Sequence, residues 1–186
     1  LKGKMGIRAS STAEIAFNNT KVPYFNVLGK EEDGFNIAMQ ILDSSRIIIA
    51  SQAVGIAQGA LEKALSYSQQ RQTFNRPLAQ HQAIQFMLAD CATKIDAARL
   101  LTRRAALLKD QNLPHTLEAA MAKLFASETA HFVTDKALQI HGGYGFFKDN
   151  PVERYYRDAK ITEIYEGSSE IQRLVIARHV LKSHQT

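Results

Sequence analysis

Glu166 is the residue of this sequence best placed to do chemistry. It lies within Ala159-Lys160-Ile161-Thr162-Glu163-Ile164-Tyr165-Glu166-Gly167-Ser168-Ser169-Glu170-Ile171-Gln172-Arg173, between an Ile-Tyr pair and a glycine. Ser169 and Gln172 have the S-x-x-Q spacing of a capping box, which predicts a helix start just after the carboxylate and a fixed backbone around it. A carboxylate held against aromatic and aliphatic groups loses hydration and becomes a stronger base towards a carbon acid. Most glutamates are solvated surface groups; these neighbours make a buried, aimed carboxylate the expectation here.

Other residues have types suited to anionic ligands. Arg71, Thr73 and Phe74 offer a guanidinium, a hydroxyl donor and an apolar ring, a set that suits a pyrophosphate and an adenine. Gln139 to Gly143 offers a helix end with two glycines, where a backbone can come close to phosphate or ribose. Asp43 and Arg46, three apart on one helix face, can simply pair with each other. Arg157, Asp158 and Lys160 read most simply as structural ion pairs holding the approach to the Glu166 loop.

Several chemistries are disfavoured. Gly142-Gly143-Tyr144-Gly145 follows a helix rather than a strand and lacks the G-x-G-x-x-G spacing, so it is no Rossmann fingerprint. The 6 histidines show no H-x-x-x-H or H-E-x-x-H pairing, and no metal site is expected. Cys91 is the only cysteine, which excludes a disulfide framework within these residues, favours a reducing compartment and reads as a packed thiol. The net charge of +5 arises from Lys and Arg scattered among acids, with no basic run interleaved with aromatics. That pattern argues for an anionic small ligand and against nucleic acid.

The elements that must position these residues are mostly helices. At 186 residues and 45% apolar content the chain can bury one substantial core, and no uninterrupted apolar run is long enough to span a membrane. Residues 1–33 differ from the rest: Ala13 to Phe17 alternates like a strand, Asn18-Asn19 is turn chemistry, and Gly29 and Gly34 punctuate the exit. This part is too small to fold alone, and a start without Met in a strand-like region marks the chain as an expected fragment of a longer polypeptide. From residue 34 on the chain reads as helices, the first from Phe35 to about Gln70, apolar on nearly all sides between Ile47 and Ala57, as if covered all round. Gly55 and Gly59, four apart, would allow close backbone approach. A second helix after Pro77 carries Ile84, Leu88, Cys91, Ile95, Ala98 and Ala105 on one seam. An Ala-rich third runs from about Thr116 to Ile140 and stops at Gly142-Gly143, with shorter helices at about 151–158 and 169–182. The expected fold is therefore mainly α, an up-and-down helix bundle over 34–186 preceded by a strand-like segment over 1–33.

The Tyr165-Glu166-Gly167-Ser168-Ser169 unit resembles the catalytic loop of the acyl-CoA dehydrogenase family, in which the Glu of a Tyr-Glu-Gly-(Thr/Ser)-Ser unit is the base. Met5 to Ser10, Gln70 to Phe74, His81 to Gln85, Gln139 to Gly145 and Arg157 to Lys160 resemble further family motifs, in family order, most closely those of short- and medium-chain members. The resemblance covers nearly the whole chain, and it implies that the strand-like segment over 1–33 is a short β-domain remnant. It implies FAD-dependent removal of an α-proton by Glu166 and of a β-hydride from a short- to medium-chain acyl-CoA, giving trans-2-enoyl-CoA. The thioester carbonyl would be polarised by the backbone N–H of the catalytic Glu and a flavin hydroxyl.

By the same resemblance Asp43, Arg46, Gly167 and Arg178 serve the acyl-CoA. Arg71, Thr73, Phe74, His81, Gln82, Gln139, His141, Gly142 and Gly143 reach the FAD of a neighbouring subunit, and Ser168 and Glu170 serve the chain's own FAD. Some relatives carry the base on the first helix as a Glu before an Arg; Ser45 stands before Arg46 here, leaving Glu166 as the candidate. An electron-transfer flavoprotein as reoxidant, a homotetramer, and a bacterial cytoplasm or mitochondrial matrix are also implied. Two alternatives remain: an acyl-CoA oxidase or flavin monooxygenase of the same fold, separable by oxygen reactivity, and a non-catalytic helical assembly module, separable by whether a β-domain lies upstream.

Overall fold

A computed structural model describes residues 2–182, so Leu1 and residues 183–186 of the expected bundle lie outside it. Five α-helices carry the fold: α1 (Gly34–Gln70), α2 (Gln82–Asp110), α3 (Thr116–His141), α4 (Pro151–Ala159) and α5 (Ser169–Lys182). Their bounds follow the expected ones to within one or two residues except at the start of α2, expected directly after Pro77, where a short 3-10 helix (Leu78–Gln80) comes first; the mainly α reading stands.

Helix α3 is central, with α1, α2, α4 and α5 all packed on it. The reason is written in small residues. Ala50, Ala53, Ala57, Ala60 and Ala64 recur on α1 at alternating steps of three and four, and on α3 Ala119, Ala122, Ala126, Ala130, Val133 and Ala137 follow one another at steps of three or four; all are buried in one core. Such stripes let two helix backbones come close over many turns. Helix α2 adds Cys91, Ile95, Ala98, Thr102 and Ala105 on a single face. Burial pushes the Cys91 thiol up to about 11, which leaves it un-ionised and inert, in keeping with a packed thiol.

The ends of the helices use local chemistry. Gly142 closes α3 at φ +56°, a value that favours glycine. Asn150 caps α4 by accepting from the Val152 amide, with Pro151 in the first turn. Between α1 and α2 lies a hairpin that periodicity did not announce: β1 (Gln72–Thr73) pairs antiparallel with β2 (Arg76–Pro77). Phe74 and Asn75 at its tip both have positive φ, as the tightest hairpin turns require.

Three expectations are corrected. Ala13 to Phe17 forms no strand and is wholly exposed, because an alternating segment becomes a strand only against a partner, and no described residue pairs with it. The section of α1 from Ile47 to Ala57 is not covered all round by this chain's own helices: Ile48 is 64% exposed and Gly55 lies open beside the faces that α2, α3 and α4 occupy. Of the two glycines, only Gly59 is closely approached, and by the Tyr155 ring rather than by a backbone.

The N-terminal residues are tied to the bundle at one place. The Ile7 amide donates to Asp158 Oδ1 at 2.7 Å, and Arg157 Nη1 donates to the Met5 carbonyl at 2.8 Å. A Cβ on Gly6 would stand 2.4 Å from the Arg157 carbonyl oxygen, so only glycine permits the contact. Gly6→Ala is therefore expected to free this segment. A hydrogen bond to a charged group contributes about 1.5–3 kcal/mol, so hydrogen exchange at the Ile7 amide should speed up by at least about tenfold; an unchanged rate would mean that the segment is not docked in solution. No helix among the described residues is long and apolar enough to cross a membrane.

Candidate functional site

The loop between α4 and α5 is a left-handed turn pinned from beneath. Glu166 has φ +55° and Gly167 φ +91°. A Cβ at position 167 would meet Gln172 Nε2 at 2.6 Å, so glycine is required there both for conformation and for space. Gln172 Nε2 donates to the Glu166 carbonyl at 3.2 Å and the Gly167 carbonyl at 2.9 Å. Lys123 Nζ, from α3, donates to the same Gly167 oxygen at 2.7 Å.

The helix start after the loop is not the expected capping box. Ser169 is the first residue of α5, its buried hydroxyl has no partner, and Gln172 reaches carbonyls instead of a free amide. Ser168 takes the capping place: its carbonyl accepts from the Gln172 amide, and its hydroxyl bonds Glu170, holding that carboxyl below its usual range. The register slips by one residue because two adjacent serines compete for the position.

Above the turn stands the Glu166 side chain, half-buried rather than enclosed by this chain. The Ser45 hydroxyl of α1 lies 2.6 Å from Glu166 Oε2 and 3.1 Å from the Leu42 carbonyl. It has one proton to give, and the shorter, charge-assisted bond to a carboxylate is the stronger. Tyr165 donates its hydroxyl to Gln52 Oε1, also on α1, and burial raises its phenol. The base and the residue before it are thus both anchored to α1, while the residue after it is held from α3 and α5.

On the same turn of α1, on either side of Ser45 in sequence, lie Asp43 and Arg46. Arg46 is 5% exposed and donates to Asp43 Oδ1 at 2.6 Å, while Thr116 donates to Asp43 Oδ2 at 2.6 Å. These two residues do pair with each other. Arg178 is exposed on α5. Lys160 pairs with Glu163 at 2.5 Å and Arg157 with Glu153 at 2.7 Å, whereas Asp158 serves as the backbone acceptor for Ile7.

A second group gathers at the far end of α1. Tyr67, Arg71, Thr73, His141, Gly142 and Gly143 line a cleft of about 590 Å³. A guanidinium and a hydroxyl stand beside two glycines with nothing within 4 Å of where a Cβ would be, so the backbone is open to a close ligand. The donor set fits an anionic pyrophosphate with its ribose. His81 bonds Thr73 Oγ1 at 3.2 Å and secures the hairpin. His141 is buried, stacked on Tyr67 at 4.3 Å, and burial lowers its titration. Phe74, 92% exposed at the hairpin tip, does not line the cleft; Gln82 and Gln139 are exposed as well.

The two groups are held far apart. From Ser45 to Arg71 the chain is almost entirely one helix, and 26 residues at about 1.5 Å each amount to roughly 39 Å. One bound molecule cannot touch both.

Lys123 is the residue that sequence reading missed. Its side chain has 0% exposure, and burial pushes its amine down to about 8, against the opposing pull of Glu163, Glu170 and Glu166. The signal was present: Lys123 falls in phase with the Ala119, Ala126 and Ala130 stripe of α3. A lysine on an alanine stripe points inward.

The family model described as acyl-CoA dehydrogenase, C-terminal domain, matches residues 32–181. A bovine protein, the mitochondrial short-chain specific acyl-CoA dehydrogenase, is 58% identical over 183 residues, covering 98% of this chain and 44% of that protein. The acryloyl-CoA reductase (NADH) of Anaerotignum propionicum is 56% identical over 182 residues, 98% of this chain and 46% of the relative. A chain in the solved structure described as the electron transferring flavoprotein of Acidaminococcus fermentans, towards a mechanism of flavin-based electron bifurcation, superposes with a TM-score of 0.95 at 53% identity. That match covers 97% of this chain and 47% of the other. The chain thus spans about half the length of the curated relatives it matches.

Proposed function

The chain belongs to the acyl-CoA dehydrogenase family, and from that premise we propose that it carries the base for α,β-dehydrogenation of a short- to medium-chain acyl-CoA to trans-2-enoyl-CoA. The observation that carries this reading is the Glu166 carboxylate itself. It projects from a left-handed turn whose two carbonyls are both bonded from below, and it meets a hydroxyl of α1. Such a group has few ways to move, and a fixed base near a carbon acid gains from orientation as well as basicity.

In this reading Glu166 takes the α-proton. Ser45, which bonds Oε2 in the absence of substrate, steadies the carboxylate before the proton arrives. The Glu166 amide is the chain's own donor to the thioester oxygen, where charge develops as the proton leaves. Asp43, Arg46, Gly167 and Arg178 are assigned to the acyl-CoA. Because Asp43 and Arg46 are already paired with each other, their part is to shape the wall and give it a fixed dipole rather than to offer a free charge.

The remaining assignments concern FAD. Arg71, Thr73, Gly142 and Gly143 would hold its pyrophosphate and ribose in their cleft, with Phe74, His81, Gln82, Gln139 and His141 around them, and Ser168 and Glu170 would meet it beside the base. When bound, FAD supplies the acceptor for the hydride that leaves the β-carbon. Since roughly 39 Å of helix separates the groups, the cleft and the base of one chain serve two different FAD molecules, which calls for an assembly of copies. A homotetramer reoxidised by an electron-transfer flavoprotein is the arrangement we propose, in a mitochondrial matrix or a bacterial cytoplasm. Residues 1–33 are assigned to the end of a β-domain and residues 34–186 to the helical domain.

The relative named as a reductase favours a second reading in which the same site runs backwards. Glu166, protonated, would then return a proton to the α-carbon. Direction and substrate are tested by mixing the flavin-loaded enzyme anaerobically with straight-chain acyl-CoA esters of increasing length. Bleaching of the flavin with formation of 2-enoyl-CoA, fastest for short chains, is expected. Failure of every acyl-CoA to bleach it would sink the proposal, and rapid re-oxidation by oxygen would favour an oxidase.

A further inference from the structure

We infer that Lys123, buried beneath the turn and bonded to the Gly167 carbonyl, is a positioning residue that sets the aim of Glu166 through the loop backbone by means of its charge. The inference rests on the reading of Glu166 as the base. An ammonium with no solvent exposure is an expensive way to fill a helix face, and a methionine of similar length would do so without a desolvation penalty. Nor is a hydrogen bond alone the need, since Gln172 already donates to the Gly167 carbonyl from the other side.

What the lysine adds is a positive charge fixed behind a loop that bears acids. Glu163 reaches it from the 3-10 turn Lys160–Glu163, Glu170 from α5 and Glu166 from the loop itself, while Arg46 of α1 opposes them. A charge-assisted bond to Gly167 is shorter and roughly twice as strong as a neutral one. It holds the residue next to Glu166 at φ +91°, and any relaxation there would swing the Glu166 side chain away from Ser45.

The charge gives the device a signature in pH. The amine, pushed down to about 8 by burial, keeps its proton below that pH and loses it above. As a neutral amine it still donates to Gly167, but only with a neutral bond. The contribution to turnover is thus complete below about pH 8 and fades as pH rises through it.

The test compares wild type, Lys123→Met and Lys123→Gln as flavin-loaded enzymes, measuring kcat and KM for acyl-CoA from pH 6 to pH 10 and flavin content by absorbance. A misplaced catalytic group can slow a reaction up to about 100-fold. Lys123→Met should therefore lower kcat by about 10–100-fold with KM and flavin content within about twofold of wild type. Lys123→Gln, which keeps a donor without the charge, should fall between them. The alkaline decline of kcat near pH 8 should be present in wild type and missing from both variants. Lys123→Gln serves as the sole comparison if the methionine variant fails to fold, and the wild-type profile stands even without it. A kcat within twofold of wild type in the variants, or an alkaline decline that persists in them, overturns the inference. A wild-type enzyme that oxidises no acyl-CoA overturns instead the reading of Glu166 on which it rests.

Discussion

Glu166→Gln is expected to leave flavin bound and to lower the rate of acyl-CoA dehydrogenation by at least about 10²–10⁴-fold, the range that general acid–base groups contribute. The substitution is nearly isosteric, and a glutamine Oε1 can still accept from Ser45, so the turn and its carbonyl bonds to Gln172 and Lys123 should persist. Only the capacity to take a proton is lost. Activity within tenfold of wild type would remove Glu166 from the role of base. In the same background Ser45→Glu should restore a part of the rate, because the Ser45 oxygen lies 2.6 Å from the carboxylate it would replace. If none returned, Ser45 would lose its place beside the α-carbon.

The second large effect is on stability. Asp43→Ala would leave Arg46, 5% exposed, without its carboxylate, and its Nε already lacks a partner. Removing one partner of a buried ion pair costs about 3–5 kcal/mol, whereas replacing the whole pair by apolar groups is often neutral. Chemical denaturation of the enzyme should show a loss of that order for Asp43→Ala, with most of it recovered in the Asp43→Ala, Arg46→Met double variant. A single-variant loss below about 1 kcal/mol would indicate that Arg46 is hydrated in solution.

The helices were legible because long periodic patterns have many residues voting for one phase. Cys91, Ile95, Ala98 and Ala105 sat on their expected seam, and Gly142 stopped α3 where it should. Short features were not legible. The hairpin after α1 has two residues in each strand, too few for any period, and its turn places Phe74 at positive φ, where a bulky residue is a poor signal. Ala13 to Phe17 alternates convincingly, but a strand is a relation between segments, and a single segment cannot state its partner. At the site, Glu166 could be singled out by its neighbours. Lys123 lies 43 positions earlier and is joined to it only by the packing of α3 under the loop. Its phase with the alanine stripe was the one clue.

That stripe has a genetic consequence. A single base change in an alanine codon yields Val, Thr, Ser, Pro, Gly, or one of Asp and Glu, and nothing else. Between α1 and α3, where Ala53, Ala57, Ala126 and Ala130 have no exposed surface, each of these is penalised for its own reason. Valine and threonine overfill the seam, at about 1–3 kcal/mol. Proline and the acids break the helix or bury a charge, and glycine loosens it by about 1 kcal/mol. Serine alone is close in size, and it brings a hydroxyl that must find a carbonyl one turn back. Natural variation should therefore be scarce along this one line of the protein and common on the opposite side of the same helices. Missense alleles that lower the amount of folded protein, while leaving every ligand-binding residue intact, should be concentrated there.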